Sequence, residues 1–374
     1  MAKNHKIPKC PPLRFPEFAD EWKQTTLGEV LDYEQPTNYI VRNTEYSNNV
    51  SLIPVLTANK SFILGYTYEQ DAYNKGRCII LDDFTLDIKF VNFPFKVKSS
   101  AIKILVAKDG TNILFIYNCL LFLRLSEQEK DHKRHYISEI QPLIVALPSL
   151  SEQEKIAGFL SLIDERIQSC SETIKERKRE KAALLNQLFS QKLRFPQFSD
   201  EWQQKTLGEE SVIIMGQSPS SSNYNNKGLG LPLIQGNADM RSGRTIIRLY
   251  TTEITKEALK DDIIMSVRAP VGALSITPFQ CCIGRGVCAI RARKYIYYYL
   301  QDCSKTWSKY SAGSTFDSIT GENLRNLPLS LPSLAEQQKI ADFLSLIDER
   351  IEVEEELLEQ YERQKRYLLR QMFV

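Results

Sequence analysis

The sequence predicts an α+β chain: two mixed, strand-rich domains separated by two long antiparallel helices that form a coiled coil, the whole with pseudo-twofold character. Three observations carry this. The chain repeats itself at two well-separated places, with unlike contents between them. Each copy closes on a segment whose apolar residues step by four and three, the pattern of a helix with one buried stripe. Between the repeats, short β-branched and aromatic runs alternate with Gly, Asn and Asp, as strands and turns do.

The first repeated island is LRFPEFADEW at Leu13–Trp22, which returns as LRFPQFSDEW at Leu193–Trp202; TLGE follows both, at Thr26–Glu29 and Thr206–Glu209. The second island is LPSLSEQEKIAGFLSLIDERI at Leu147–Ile167, which returns as LPSLAEQQKIADFLSLIDERI at Leu331–Ile351. The offset is 180 residues for the first island and 184 for the second, so the second domain is four residues longer inside an unchanged frame. These islands divide the chain into a first domain, 13–148, a first helical region, 149–192, a second domain, 193–332, and a closing helix, 333–374.

Each helical region begins beyond a proline, Pro148 or Pro332. Ser149 or Ser151 supplies the N-cap of the first and Ser333 that of the second, with Glu152, Glu154 and Glu336 as first-turn acids. The seam then runs through Ile156, Leu160, Ile163, Ile167 and Ile174, and in the second copy through Ile340, Leu344, Ile347, Ile351 and Leu358. A heptad seam of this length predicts that the two helices pair with each other, and about forty residues of helix would run about 60 Å. An antiparallel pairing would put the two domains at opposite ends of one rod. Arg177 and Lys181 interrupt one seam, Glu354 and Lys365 the other. The alternative is that each helix packs only on its own domain.

In the first domain, SLIPVL, FILGYTY, RCIILDD and IKFVNFPFKV are predicted as strands. The apolar run Ile113–Leu125 is too short to span a bilayer and is predicted as another, buried strand. In the second domain DIIMSV and CAIRA are strands, GLGLPLIQG is a loop, and Thr255–Lys260 and Tyr295–Tyr310 are helical. Tyr297, Tyr298 and Tyr299 are expected in helix packing.

Composition excludes a polycation, since the net charge is only +2. The charge is uneven, however: Lys227–Lys294 holds eleven Lys and Arg against five Asp and Glu, whereas the closing helix is acidic. The opening MAKNHKIPKCPP has no apolar core of a secretory signal, and the eight cysteines form no C-x-x-C pair. Reduced, buried thiols and a cytoplasmic location are therefore expected, with no membrane span.

Catalytic motifs are few. There is no phosphate loop, no dinucleotide fingerprint after a strand, and no Asn-Pro-Pro-Tyr type motif. His132 and His135 lie in the charged run EQEKDHKRH, which reads as a solvated loop rather than a metal site. Asp83, Asp87 and Lys89 resemble the paired carboxylates and lysine of a Mg²⁺-dependent nuclease. A self-sufficient nuclease is thus one alternative, and a coiled-coil scaffold that binds only proteins is another.

The twin helical segments and the twin LRFP…TLGE segments resemble the specificity subunits of type I restriction–modification systems. The resemblance extends through GQSPSSSNYN at Gly216–Asn225, GLPLIQGNADM at Gly230–Met240, SVRAPVGALSI at Ser266–Ile276, CIGRGVCAI at Cys282–Ile290 and GSTFDSIT at Gly313–Thr320. The first domain matches less tightly, through PVLTANKSFILGYT and FPFKVKSS. The resemblance implies two target recognition domains that read a bipartite, asymmetric site in double-stranded DNA. It also implies helices that set the spacing and dock two methyltransferase subunits, and a motor–nuclease subunit that completes the complex. The chain itself would be non-catalytic, with no cofactor or metal of its own; S-adenosylmethionine, ATP and Mg²⁺ would sit on the partners.

DNA contacts are nominated on chemistry, because Arg pairs with guanine and Asn or Gln with adenine. In the second domain the candidates are Gln217, Ser218, Tyr224, Asn237, Arg241, Arg244, Arg268 and Arg285, which lie among Gly and Ser. In the first they are Thr57, Asn59, Lys60, Lys96, Lys98 and Ser99.

Overall fold

A computed structural model describes residues 10–58, 61–125, 133–303 and 318–374. Two compact units emerge, one of Met1–Ser169 with Leu357–Val374, the other of Cys170–Glu356. Each unit therefore takes the first half of one long helix and the second half of the other.

The first unit contains β1 (Lys23–Thr26), α1 (Leu27–Val30), β2 (Leu31–Glu34), β3 (Ile53–Leu56), β4 (Ile63–Thr67), β5 (Cys78–Asp82), β6 (Ile88–Val91), β7 (Lys96–Val97), β8 (Ile102–Ala107), α2 (Ile113–Leu123) and β9 (Ile144–Leu147), followed by α3 (Leu150–Phe189). One sheet has the order β2-β8-β5-β6 and a second β4-β3-β7. The central β5 is apolar from Cys78 to Leu81 because both of its faces are buried there. Cys78 and Ile80 meet Leu56 and Val97 of the second sheet in one core. Ile79 and Leu81, pointing the other way, join Phe115 and Ile116 of α2 in another.

The second unit has β10 (Gln203–Thr206), α4 (Leu207–Glu210), β11 (Val212–Met215), β12 (Tyr224–Asn225), β13 (Leu231–Ile234), β14 (Met240–Arg241), β15 (Arg244–Thr245), β16 (Leu249–Thr251), β17 (Glu257–Ala258), β18 (Ile263–Ser266), β19 (Leu274–Ile276), β20 (Cys281–Ile283), β21 (Val287–Arg291), α5 (Lys294–Asp302), α6 (Gly321–Arg325), β22 (Pro328–Leu331) and α7 (Leu334–Met372). Its sheets run β11-β21-β18-β19-β15-β14 and β12-β16-β13-β20-β17. The plan of the first unit is kept, with β18 in the place of β5, and strands are added at the sheet edges.

Several expectations are corrected. Ile113–Leu123 is a helix, not a strand. Asn112 caps it, its Oδ1 accepting from Leu114 N and Phe115 N at 3.0 Å, and Asn118 Nδ2 returns a bond to Leu114 O. An apolar run buried all round carries no period, so the cap and the length, eleven residues where a strand usually has fewer, distinguish helix from strand. Glu257–Ala258, inside a predicted helix, is instead a short strand paired with Cys281 and Cys282. GLGLPLIQG is not wholly loop: its Leu231–Ile234 portion is β13, parallel to β20. The predicted helix Tyr295–Tyr310 is α5 as far as Asp302, and residues 304–317 lie outside the described ones. Within α5, Tyr297 and Tyr298 are buried and Tyr299 packs against the same core. His135 is buried rather than solvated, and His132 is outside the described residues. Six of the eight thiols are buried, and burial holds those of Cys78, Cys119 and Cys288 up at about 12.

The repeated islands turn out to form one joint, built twice. Glu152 and Glu336 are more than first-turn acids. In the first unit the Arg14 guanidinium donates to both oxygens of buried Glu152, each at 2.7 Å, and to Asp20 O at 2.6 Å. In the second, Arg194 does the same to Glu336, at 2.8 Å twice, and to Asp200 O at 2.6 Å. Phe15 meets Phe159 edge-on at 5.8 Å, and Phe195 meets Phe343 at 5.8 Å. Strand β1 pairs with β9 and β10 with β22, each antiparallel over four residues. Thr26 and Glu29, and equally Thr206 and Glu209, close a capping box. Ser149 and Ser333 are the N-caps of the long helices, their Oγ atoms accepting from Glu152 N and Glu336 N.

The seam residues sit in mixed cores. Ile156, Leu160 and Ile163 are buried and Ile167 half-buried, in one core with Leu368, Leu369 and Met372 from the end of α7. Ile340 and Leu344 are buried and Ile347 half-buried, with Leu185 and Leu188 from the end of α3. Ile174 and Ile351 are buried and Leu358 half-buried. Each core also contains residues of its own domain, such as Leu27 or Leu207, so helix pairing and domain packing are one event. The direction is antiparallel: in the second unit Lys178 reaches Glu355 while Lys181, one turn on, reaches back to Asp348 at 2.6 Å.

Two of the four charges that interrupt the seams, Lys181 and Lys365, are partnered. Asp164 pairs with Lys365 at 2.5 Å in the first unit. Lys181 pairs with Asp348 in the second. Asp348 and Lys365 are the repeats, at an offset of 184, of Asp164 and Lys181, so the same bond is made with the helices exchanging roles. Reversing Asp348 to Lys is expected to cost about 1 kcal/mol, the upper end for a partly exposed pair. Lys181→Asp in the same chain should recover most of it in a double-mutant cycle read by urea unfolding.

Candidate nucleic-acid interface

In the second unit three loops converge where the strands of the two sheets end. Their backbones come so close that side chains do not fit. A Cβ on Gly286 would lie 2.1 Å from Gln235 O, and one on Gly216 2.2 Å from Gly284 O, far inside van der Waals contact. The result is an open groove of about 600 Å³ lined by Ser218, Tyr224, Gln235, Asn237, Arg268 and Arg285, among others. Its walls are held by internal bonds. Ser218 Oγ accepts from Arg285 N at 3.1 Å, Gln235 Nε2 donates to Tyr224 Oη at 2.8 Å, and buried Asp239 accepts from Gln235 N at 2.7 Å.

Pairing sorts the arginines of this basic domain. Arg244 is bonded to Glu352 of α7 at 2.7 Å, Arg291 to Asp262 at 3.0 Å and Arg293 to Glu210 at 3.0 Å. Arg248 lies 3.5 Å from Asp239. Arg268 and Arg285 are exposed, and no carboxylate among the described residues pairs with either. They leave two uncompensated guanidinium forks at one groove, beside the amides of Gln235 and Asn237. Such a set can hold phosphates and can match guanine and adenine edges.

Five of the eight candidates in this domain thus come together: Ser218, Tyr224, Asn237, Arg268 and Arg285. Gln217 is exposed beside them. Arg241 and Arg244 are not brought to the groove; they face each other across the hairpin β14–β15, and Arg244 is neutralised by the acidic helix. Gln235 was not among the candidates. Its signal is the alignment of PLIQ with PVLT, which puts Gln235 at the end of β13 where Thr57 follows β3.

The first unit carries its candidates differently. Lys98 and Ser99 are exposed on the loop after β7. Thr57 is buried, its backbone N bonded to Phe62 O. Lys96 is also buried, at 3% exposure, with Nζ donating to Gln70 O at 3.1 Å and lying 3.5 Å from Glu69. It is an internal counter-ion and not an exposed phosphate contact. The Glu69 carboxyl is held below the usual carboxylate range, first by the backbone N–H of Asn43 and also by those of Arg42 and by Lys96. Asn59 and Lys60 lie outside the described residues.

A family model for the type I restriction modification DNA specificity domain matches residues 19–177 and again residues 199–363. The chain belongs to this specificity family. It is 32% identical, over 94% of its length and 93% of the relative's, to a protein of Methanocaldococcus jannaschii assigned as the MjaX type I restriction enzyme specificity subunit. It is 29% identical to the EcoR124I/EcoR124II specificity subunit of Escherichia coli, over 88% of this chain and 86% of that one. In fold it is similar to the crystal structure of the S subunit of a type I system from M. genitalium, at a TM-score of 0.69 and 15% identity over 98% and 99% of the two chains. A chain from a structural study of complex assembly in a type I system matches at 0.52 and 23% over 98% of each.

Membership of the specificity family agrees with the state of the two carboxylates that resembled a nuclease site. Asp83 is 2% exposed, and its Oδ1 accepts from His135 N at 3.1 Å and Tyr136 N at 2.7 Å. Its Oδ2 lies 3.5 Å from buried Lys103. Asp87 instead accepts from Thr85 Oγ1 at 2.9 Å. Asp83 is therefore a structural carboxylate. Among the described residues no three His, Cys, Asp or Glu are grouped to hold a metal, and no helix is long and apolar enough to cross a membrane.

Proposed function

We propose that this chain is the non-catalytic, sequence-reading subunit of a type I restriction–modification complex, and that each unit reads one half of a bipartite, asymmetric site in double-stranded DNA. The observation that carries this is the pair of uncompensated arginines, Arg268 and Arg285, at a glycine-built groove in one of two family-matched halves. Unlike readers on a duplicated frame suit a site with unlike halves, whereas a symmetric dimer suits a palindrome. The contacts assigned are Ser218, Tyr224, Asn237, Arg268 and Arg285, joined by Gln235, in the second unit, and Lys98 and Ser99 in the first. The length of the paired helices sets the spacer between the half-sites. The complex works in the cytoplasm, where its DNA is.

Two methyltransferase subunits dock on the frame, and a motor–nuclease subunit joins through them; S-adenosylmethionine, ATP and Mg²⁺ belong to those partners. The docking face is drawn from apolar side chains that stay exposed in both copies. Leu162 is 60% and its repeat Leu346 58% exposed; Leu150 and Leu334 follow suit. The same exposure kept at both repeats fits two copies of one partner. Leu162→Asp with Leu346→Asp is expected to abolish co-purification of the methyltransferase subunit while shifting unfolding by less than about 0.5 kcal/mol. Unchanged co-purification would place the interface elsewhere.

The deciding experiment is co-expression with the methyltransferase subunits and genome-wide mapping of methylated adenine. One bipartite motif, absent without this chain, is the expected result. Methylation that does not depend on the chain, or DNA cleavage by the purified chain with Mg²⁺ that Asp87→Ala removes, would overturn the reading.

A further inference from the structure

The two units can be superposed residue by residue at their reading edge through their hydrogen bonds. In the first, Asp82 pairs with Ile102; in the second, Ser266 pairs with Val287. One step on, Asp83 N donates to Ala101 O at 2.8 Å, and Val267 N to Gly286 O at 2.9 Å. From the other side, His135 N donates to Asp83 O at 2.9 Å, and Ile319 N to Val267 O at 3.0 Å. Asp83 and Val267 are therefore equivalent, as are His135 and Ile319. It follows that Phe84 stands where the second unit has Arg268, and that Arg134 stands where it has Ser318. Arg268 and Ser318 are bridged neighbours on adjacent segments. The arginine has moved to the neighbouring segment between the two units, so this pair of positions carries one guanidinium in each.

Arg134 is also built to present that group. Its guanidinium lies 5.7 Å from the centroid of the exposed Phe84 ring. Nη1 donates to Ser100 O and Nη2 to Ser100 Oγ, both at 3.4 Å. Ser100 lies on the loop that corresponds to Gly284–Gly286, where the second unit carries Arg285. The nearest carboxylate among the described residues, Asp83 Oδ2, is 3.8 Å away, but buried Lys103 lies closer to it and two backbone N–H groups hold its other oxygen. Asp83 thus meets two cations with a single charge, which leaves a net positive charge at the half-exposed Arg134 fork. An aromatic ring under a guanidinium fixes the plane of the fork, and a fixed fork suits bidentate bonding to a guanine edge better than loose attraction to a phosphate.

We propose that Arg134 is a specificity-determining residue of the first unit, the counterpart of Arg268 supplied from the neighbouring segment, and that it reads a guanine in the half-site of that unit. This rests on the sequence-reading function assigned above. The test maps methylated sites for the full chain with its methyltransferase partners, comparing wild type with Arg134→Ala, Arg134→Lys and Arg268→Ala. Wild type should give a bipartite motif. Arg134→Ala and Arg134→Lys should both relax one guanine position, lowering preference there roughly 5- to 150-fold, in the half-site that Arg268→Ala leaves intact. Lysine behaving as wild type, a motif unchanged in Arg134→Ala, or uniform weakening at every position would each overturn the assignment and leave the function standing. No bipartite motif from wild type would overturn both.

Discussion

Replacing Glu152 by alanine is expected to destabilise the first unit by about 3–5 kcal/mol, the cost of leaving half of a buried ion pair behind. Glu152 is 1% exposed and accepts from two guanidinium nitrogens of Arg14 and from the Trp22 indole N–H at 3.3 Å. Arg14 is itself only 13% exposed, so its charge would have little water to turn to. Against a total stability of about 5–15 kcal/mol for a domain, that loss is a large part of the whole. Glu336→Ala should do the same to the second unit through Arg194. Urea unfolding followed by circular dichroism, together with limited proteolysis to locate the loosened unit, would measure it. Replacing Arg14 and Glu152 together by apolar residues should cost less than either alone, because no charge is stranded. A loss below about 1 kcal/mol for Glu152→Ala would mean that the joint is held by the β1–β9 ladder and not by the ion pair.

Arg268→Ala is expected to produce the largest change in recognition. A bidentate arginine–guanine contact is worth about 1–3 kcal/mol of discrimination, so one position of one half-site should become degenerate. Arg285→Ala should act on the same half-site, and the two losses need not add, since both line one groove. Arg244→Ala is the internal control. Its guanidinium already has Glu352 at 2.7 Å, so the methylation motif should stay the same. Sequencing methylated DNA from cells carrying each variant tests all three. A motif altered by Arg244→Ala and untouched by Arg268→Ala would reverse the assignment of these arginines.

The sorting of these arginines shows where reading the chain stopped short. Arg241, Arg244, Arg268 and Arg285 look alike in sequence, each among Gly, Ser or Ala. What separates Arg244 from Arg268 is a carboxylate 108 positions away. Lys96 and Lys98 differ in the same way: two positions apart at the end of β7, one is turned inward to Gln70 O and the other is exposed. Arg134 was hidden for a related reason. Its segment is charged and unremarkable by composition, and only the hydrogen-bond register reveals that it shares a place with Ser318. Ile113–Leu123 failed differently, because burial on all sides erased the period that tells a helix from a strand.

What the sequence determined by itself was the frame. Repetition is visible without any structure, and the long helices follow from a stripe that local geometry forces onto one face. The strand-rich character and the family follow from the same local signals. Tertiary structure alone decided that the two islands of each copy, some 138–142 residues apart, meet as a single joint, and that a polar seam position is one end of an ion pair. It also decided which basic side chains keep an uncompensated charge. The reason is physical: periodicity and capping act within a few residues, whereas burial and charge balance depend on groups that the fold brings together from far along the chain.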